Sequence, residues 1–76
     1  MAARNTLTLA PPFEVETALT TLGANLRTAR ERRGLTIADI AEKIGTGPRA
    51  VADAEKGKPS TGIVVYAGLL WAPSLS

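Results

Sequence analysis

The side chains able to do chemistry in this chain are few, and their types suit recognition better than transformation. Across 76 residues there is no cysteine and no histidine, which removes thiol nucleophiles, zinc sites and imidazole acid–base catalysis. Carboxylates, hydroxyls and a single tyrosine remain, and no two carboxylates sit in a pattern that frames a pocket. No catalytic residue, metal or cofactor is expected, and the chain is not expected to be an enzyme. What recurs instead is cationic and hydrogen-bonding character at helical spacing. Arg49 and Asp53 lie one helical turn apart, with Lys56 and Lys58 just beyond them. The net charge of +2 is modest, so an anionic partner is served only if the positive charge is clustered.

These residues need a scaffold, and apolar periodicity supplies one. Residues Met1–Pro12 show no period and end in Pro11-Pro12, which reads as a flexible N-terminal arm before a domain over 13–72. Residues 73–76 read as a short tail. The N-terminus lacks an apolar run ending in a small-residue cleavage site, so the chain reads as cytoplasmic. Val15, Ala18, Leu19, Leu22, Leu26 and Ala29 recur at three and four residues and predict a helix from Glu14 to Arg33, stopped by Gly34. Gly23 inside it costs up to about 1 kcal/mol relative to alanine.

Thr36 is a capping residue for a second helix, Ile37–Ile44, with Asp39 placed to complete a weak capping box. Gly45 suits the left-handed residue that ends such a helix, and Pro48 suits the first turn of a third, Pro48–Lys56. Its inner face would be Val51 and Ala54. A fourth segment, Thr61–Trp71, is almost wholly apolar. Its Ile63, Val64 and Val65 permit a strand, but helix is preferred beside three helical neighbours. The apolar run Ile63–Ala72 is about half of a membrane span. It must be buried in protein, and no membrane partner is expected.

Two short helices joined by Gly45-Thr46-Gly47 match a helix-turn-helix in length and turn chemistry. Ala41 is small where the helices cross, Gly45 stands at the reversal, and Val51 and Ala54 close the wedge. The same glycines do not make a phosphate loop, because no strand precedes them and no Lys-Ser/Thr follows. The stretch Leu22–Gly57 resembles the Xre/Cro-type helix-turn-helix regulators, on Leu26, Arg27, Arg30, Gly34-Leu35-Thr36, Ala41, Gly45, Val51 and Glu55-Lys56-Gly57. That resemblance implies an all-α, lambda-repressor-like compact bundle of four to five short helices, whose second motif helix enters the major groove of duplex DNA and whose dimer reads a palindromic operator. It also implies an ion pair between Arg30 and Glu55. The segment from Lys56 to Ala72 is similar to that of HipB-like antitoxins, which implies a kinase-like toxin as a possible partner. Ile37, Gly47 and Pro48 depart from the family pattern, each removing a DNA contact.

Within this frame Arg49 is the first base reader, since a guanidinium donates twice to guanine O6 and N7. Asp53 accepts from cytosine N4, or holds Arg49, or is a plain surface carboxylate; Gly47 and Ala52 are the other residues placed at base edges. Arg33, Thr36, Lys56 and Lys58 are candidates for phosphate contacts, which set register without reading sequence. Lys43 and Arg27 are expected on solvated faces. Tyr66 and Trp71 lack the basic interleaving of a base-stacking platform. Packing in a core or a subunit interface is expected for both, and Ile63, Tyr66, Leu70 and Trp71 are the residues assigned to a homodimer interface. The expected function is autorepression of an operon by operator occupancy; the alternative is an interaction module for a toxin or kinase with little DNA affinity.

Overall fold

The computed structural model of the chain describes residues 9–72. The expected tail and most of the expected arm lie outside the described residues. Among the described residues four helices follow one another, α1 (Phe13–Arg32), α2 (Ile37–Ile44), α3 (Pro48–Glu55) and α4 (Ile63–Trp71), and no strand occurs. The first helix thus starts and ends one residue earlier than its pattern suggests, and the third stops at Glu55 with Lys56 as its cap. The fourth begins at Ile63 rather than Thr61, behind Gly62. The β-branched run is helical because α2 and α3 offer it helix faces, not a sheet edge, to pack on.

The termini of α2 have definite chemical causes. Thr36 Oγ1 accepts the Asp39 N–H at 3.0 Å while Asp39 Oδ2 accepts the Thr36 N–H at 2.9 Å, so two otherwise orphaned donors are satisfied reciprocally. At the other end Gly45 is left-handed, with φ of 79°, and its N–H and that of Thr46 return to the Ala41 carbonyl, each at 2.9 Å. A side chain at Gly45 would strain that reversal.

The core is Leu26, Ile40, Ala41, Val51, Ala54, Tyr66, Leu69 and Ala72, with Leu19, Leu22, Leu35, Ile37, Ile44 and Val65 packed around it. Ile40 and Val51 are completely enclosed. They hold the two motif helices at a fixed angle, which is what places one face of α3 outward. The apolar stripe of α1 is shorter than its periodicity implies: Val15 and Ala18 are exposed, and burial starts at Leu19. The reason is length, since α1 overhangs the short helices it packs against. Gly23 is where α1 crosses α3. A Cβ there would lie 2.6 Å from the carbonyl oxygens of both Ala54 and Glu55, so only glycine permits this approach. No helix among the described residues is long and apolar enough to cross a membrane.

Candidate nucleic-acid interface

Because Val51 and Ala54 point into the core, the opposite side of α3 is presented outward. Counting about 100° per residue, Arg49, Ala52, Asp53 and Lys56 fall within an arc of about 100°. Arg49 and Lys56 are exposed, while Ala52 and Asp53 are half-buried. Gly47 is the exposed N-cap of α3 and Pro48 its first residue. The four residues expected at base edges are therefore gathered at one end and along one face of a single helix. Ala50 is half-buried on the other side.

Arg33, Thr36 and Lys56, three of the residues expected at phosphates, stand at helix termini. Arg33 caps the C-terminus of α1 and is exposed. Thr36 is the exposed N-cap of α2; its hydroxyl oxygen already accepts a backbone N–H, so what it can offer an outside phosphate is its O–H. Lys43 is exposed in the last turn of α2. Asp53 does not pair with Arg49. Its Oδ1 instead lies 3.3 Å from Lys58 Nζ, because the chain turns back after Gly57 and sets Lys58 beside Asp53.

Sequence reasoning placed Arg27 on a solvated face, and the structure adds something to that. Arg27 is exposed and bonds Glu31 at 3.2 Å, yet it also lines a cleft of about 250 Å³ with Arg30, Ile37, Ala52, Glu55 and Lys56. The cleft runs from the start of α2 to the end of α3. Its signal in the sequence was the three-residue spacing from Arg27 to Arg30, which puts both on the side of α1 that meets α3.

Beneath this cleft the structure brings Arg30 and Glu55 together. Arg30 Nε donates to Glu55 Oε2 at 2.7 Å, one terminal nitrogen donates to Oε1 at 3.1 Å, and the other donates to the Leu35 carbonyl at 2.8 Å. The two side chains are only 11% and 5% exposed. Hydrogen bonding to Glu55 raises the guanidinium above its ordinary value, against the opposing effect of burial. The bonds join the end of α3 to α1 and to the loop before α2, so the outward face is held from behind. At the N-terminus of α2, the Thr36 backbone N–H and then its side chain hold the Asp39 carboxyl below its ordinary range.

The expected interface on α4 divides. Of the two packings open to Tyr66 the structure shows the core: it is 4% exposed within one chain, and its hydroxyl donates to the Lys58 carbonyl at 3.2 Å. It belongs to the core because its ring reaches past the motif helices to the loop after α3. Ile63, Leu70 and Trp71 are exposed, together with Val64. Next to them an apolar groove of about 480 Å³ runs between the end of α2 and α4, lined by Ile44, Thr46, Val64, Val65, Gly68 and Trp71 among others.

The comparisons with known proteins agree with this geometry at the level of family. No curated protein and no solved structure matches the chain. The family model of the helix-turn-helix domain matches residues 21–70, a span that begins just before Gly23 and takes in the motif helices, the Arg30–Glu55 pair and most of α4. With an all-helical bundle, two helices about a three-residue turn, and a match over well over half of its length, the chain belongs to the helix-turn-helix domain family.

Proposed function

We propose that this protein is a sequence-specific regulator of the Xre/Cro type that binds duplex DNA as a homodimer and represses transcription by occupying an operator. The observation that carries the reading is the outward stripe Arg49, Ala52, Asp53 and Lys56 on α3, held opposite the enclosed Val51 and Ala54. A helix so presented can enter a major groove, with Arg49 near its leading end donating to a guanine edge. Arg27, Arg33 and Lys56 then face phosphates on either side. Such repression is steric and needs no chemistry on the DNA.

The decisive measurement compares two variants on a selected operator and on random duplex. Arg49→Ala is expected to relax preference at one base position by about 1 to 3 kcal/mol. Lys56→Ala is expected to weaken all sequences alike and to lower the salt slope by about one unit. Equal losses of specific and nonspecific binding in both variants would show that α3 does not read bases.

A second reading, antitoxin-like binding of a kinase-like toxin with little DNA affinity, is favoured by the apolar groove and exposed side chains of α4. Ile37, Gly47 and Pro48, which offer no side-chain polar group at the DNA-facing end of the motif, also favour it. Its test is the gene beside this one: a kinase-like neighbour that co-purifies with the chain would support it.

A further inference from the structure

The last turn of α3 is closed by a backbone motif that carries a charged pair, and the closure lies on the face read above as contacting DNA. The Gly57 N–H donates to the Ala54 carbonyl at 2.9 Å and the Lys58 N–H to the Asp53 carbonyl at 3.1 Å, with Gly57 left-handed at φ of 74°. This is the Schellman arrangement, which sets the second residue beyond the helix against a residue of its last turn, usually through an apolar contact. Here those residues are Lys58 and Asp53, and the contact is the 3.3 Å ion pair. Backbone geometry, not only the attraction of two side chains, keeps them together. Asp53 meanwhile lies about 40° from Arg49 and about 60° from Lys56 around the helix. Its carboxylate is therefore part of the stripe offered to DNA.

We propose that Asp53 is a brake on charge-driven DNA binding, acting by holding Lys58 away from phosphate and by placing its own negative charge among the contacting residues. The proposal rests on the assignment of α3 as the DNA-contacting helix. Affinity for arbitrary duplex comes almost wholly from phosphate neutralisation, whereas the bonds of Arg49 go to base edges. Removing positive charge lowers the first more than the second, which widens the ratio between operator and bulk DNA. The pair is suited to this role because it is partly open to solvent: the side chains of Lys58 and Asp53 are 46% and 26% exposed. Lys58 is thus available to a phosphate once a neutral side chain replaces Asp53.

The test is a fluorescence-anisotropy titration of labelled arbitrary-sequence duplex across several salt concentrations. It uses the full chain as wild type, Asp53→Asn, Lys58→Gln and the double variant, each checked for helicity by circular dichroism. Asp53→Asn is expected to bind roughly three- to tenfold tighter, with a salt slope steeper by about one unit. Lys58→Gln alone is expected to weaken binding less than Lys56→Ala does, and in the Asp53→Asn background to remove the part of the gain that Lys58 supplies, including the steeper slope. An Asp53→Asn protein that binds no tighter than wild type overturns the proposal. So does a Lys58→Gln protein weakened as much as the Lys56→Ala protein described above, since Lys58 would then already be on phosphate. A purely structural closure would shift the melting temperature of both variants and leave the slope unchanged, which also overturns it. If no variant binds duplex at low salt, the DNA assignment itself fails and the brake with it; if Asp53→Asn alone binds, the brake stands.

Discussion

Arg30 is the residue on which most of the geometry converges, because a guanidinium has enough donors to bond a carboxylate twice and a carbonyl as well. Its three bonds tie α1, the loop at Leu35 and the last turn of α3 to one another. Removing one member of such an enclosed pair strands the other. Arg30→Met should therefore lower stability by about 3 to 5 kcal/mol, measurable as a drop in the urea midpoint with an unchanged slope; a variant that unfolds like the parent would show the pair to be energetically idle. Asp39 predicts a pH dependence. Its folded value lies below the ordinary 3.8, so its contribution is present above the unfolded range and is lost as pH falls through the folded value. The melting temperature of wild type should exceed that of Asp39→Asn at neutral pH, and the gap should close as pH drops below about 3.8. A gap that stays constant into acid would exclude charge on Asp39 as its cause.

Between elements, the crossing of α1 over α3 is set by two glycines. Gly23 admits the carbonyls of Ala54 and Glu55, and Gly57 lies so close to α1 that a Cβ there would sit 2.5 Å from the Leu19 carbonyl oxygen. Two opposing effects decide the outcome of Gly23→Ala. Helix propensity favours alanine by about 1 kcal/mol, whereas overpacking against backbone atoms, which cannot rotate away, costs about 1 to 3 kcal/mol. The clash should win, since a 2.6 Å approach forces the helices apart and displaces the Glu55 backbone, and with it the carboxylate that Arg30 bonds. The variant is expected to melt at lower temperature despite higher intrinsic helicity. A raised melting temperature would mean that α1 can slide without cost. Gly68 is a milder case, because the Cβ it lacks would meet the Ile44 side chain at 3.1 Å.

At the scale of the whole bundle, α4 is half-covered among the described residues. Its mean composition is apolar all round, yet Ile63 is 82% exposed and Trp71 53% exposed, and the groove beside α2 runs alongside them. A ridge and a groove adjacent on one element are what a two-fold contact needs, since each copy can supply both. Palindrome reading also asks for two recognition helices about 34 to 36 Å apart. Sedimentation at micromolar concentration is therefore expected to give a dimer, and Leu70→Lys is expected to shift it to monomer and to weaken operator binding more than random-duplex binding. The single tryptophan gives an independent readout, a blue shift of emission with rising protein concentration. A protein that stays monomeric would refute the dimer and leave the α4 face to a different partner.

How much of this was legible beforehand differs by residue for physical reasons. Local rules act over three or four positions, so the helices of the motif, the Thr36–Asp39 box, the left-handed Gly45 and the Pro48 start follow from the amino-acid order alone, as does the absence of thiol and imidazole chemistry. The outward stripe on α3 was legible too, because burying Val51 and Ala54 dictates what remains outside. The Arg30–Glu55 bond was not readable from charge, which offers Glu31 equally well; a resemblance pointed to it, and its geometry exists only once α1 and α3 are packed. Gly23 looked like a weak point and is a crossing point, since a local propensity cannot register a backbone arriving from thirty positions away. Tyr66 and Ile63 share one apolar helix, yet tertiary packing enclosed the first and left the second in solvent. Helical spacing offers Arg49 as one partner for Asp53 beside a base edge or plain solvent, yet the carboxylate turns to Lys58, because the reversal at Gly57 brings the chain back on itself. Periodicity determines which residues share a face; only the packed fold decides what that face meets.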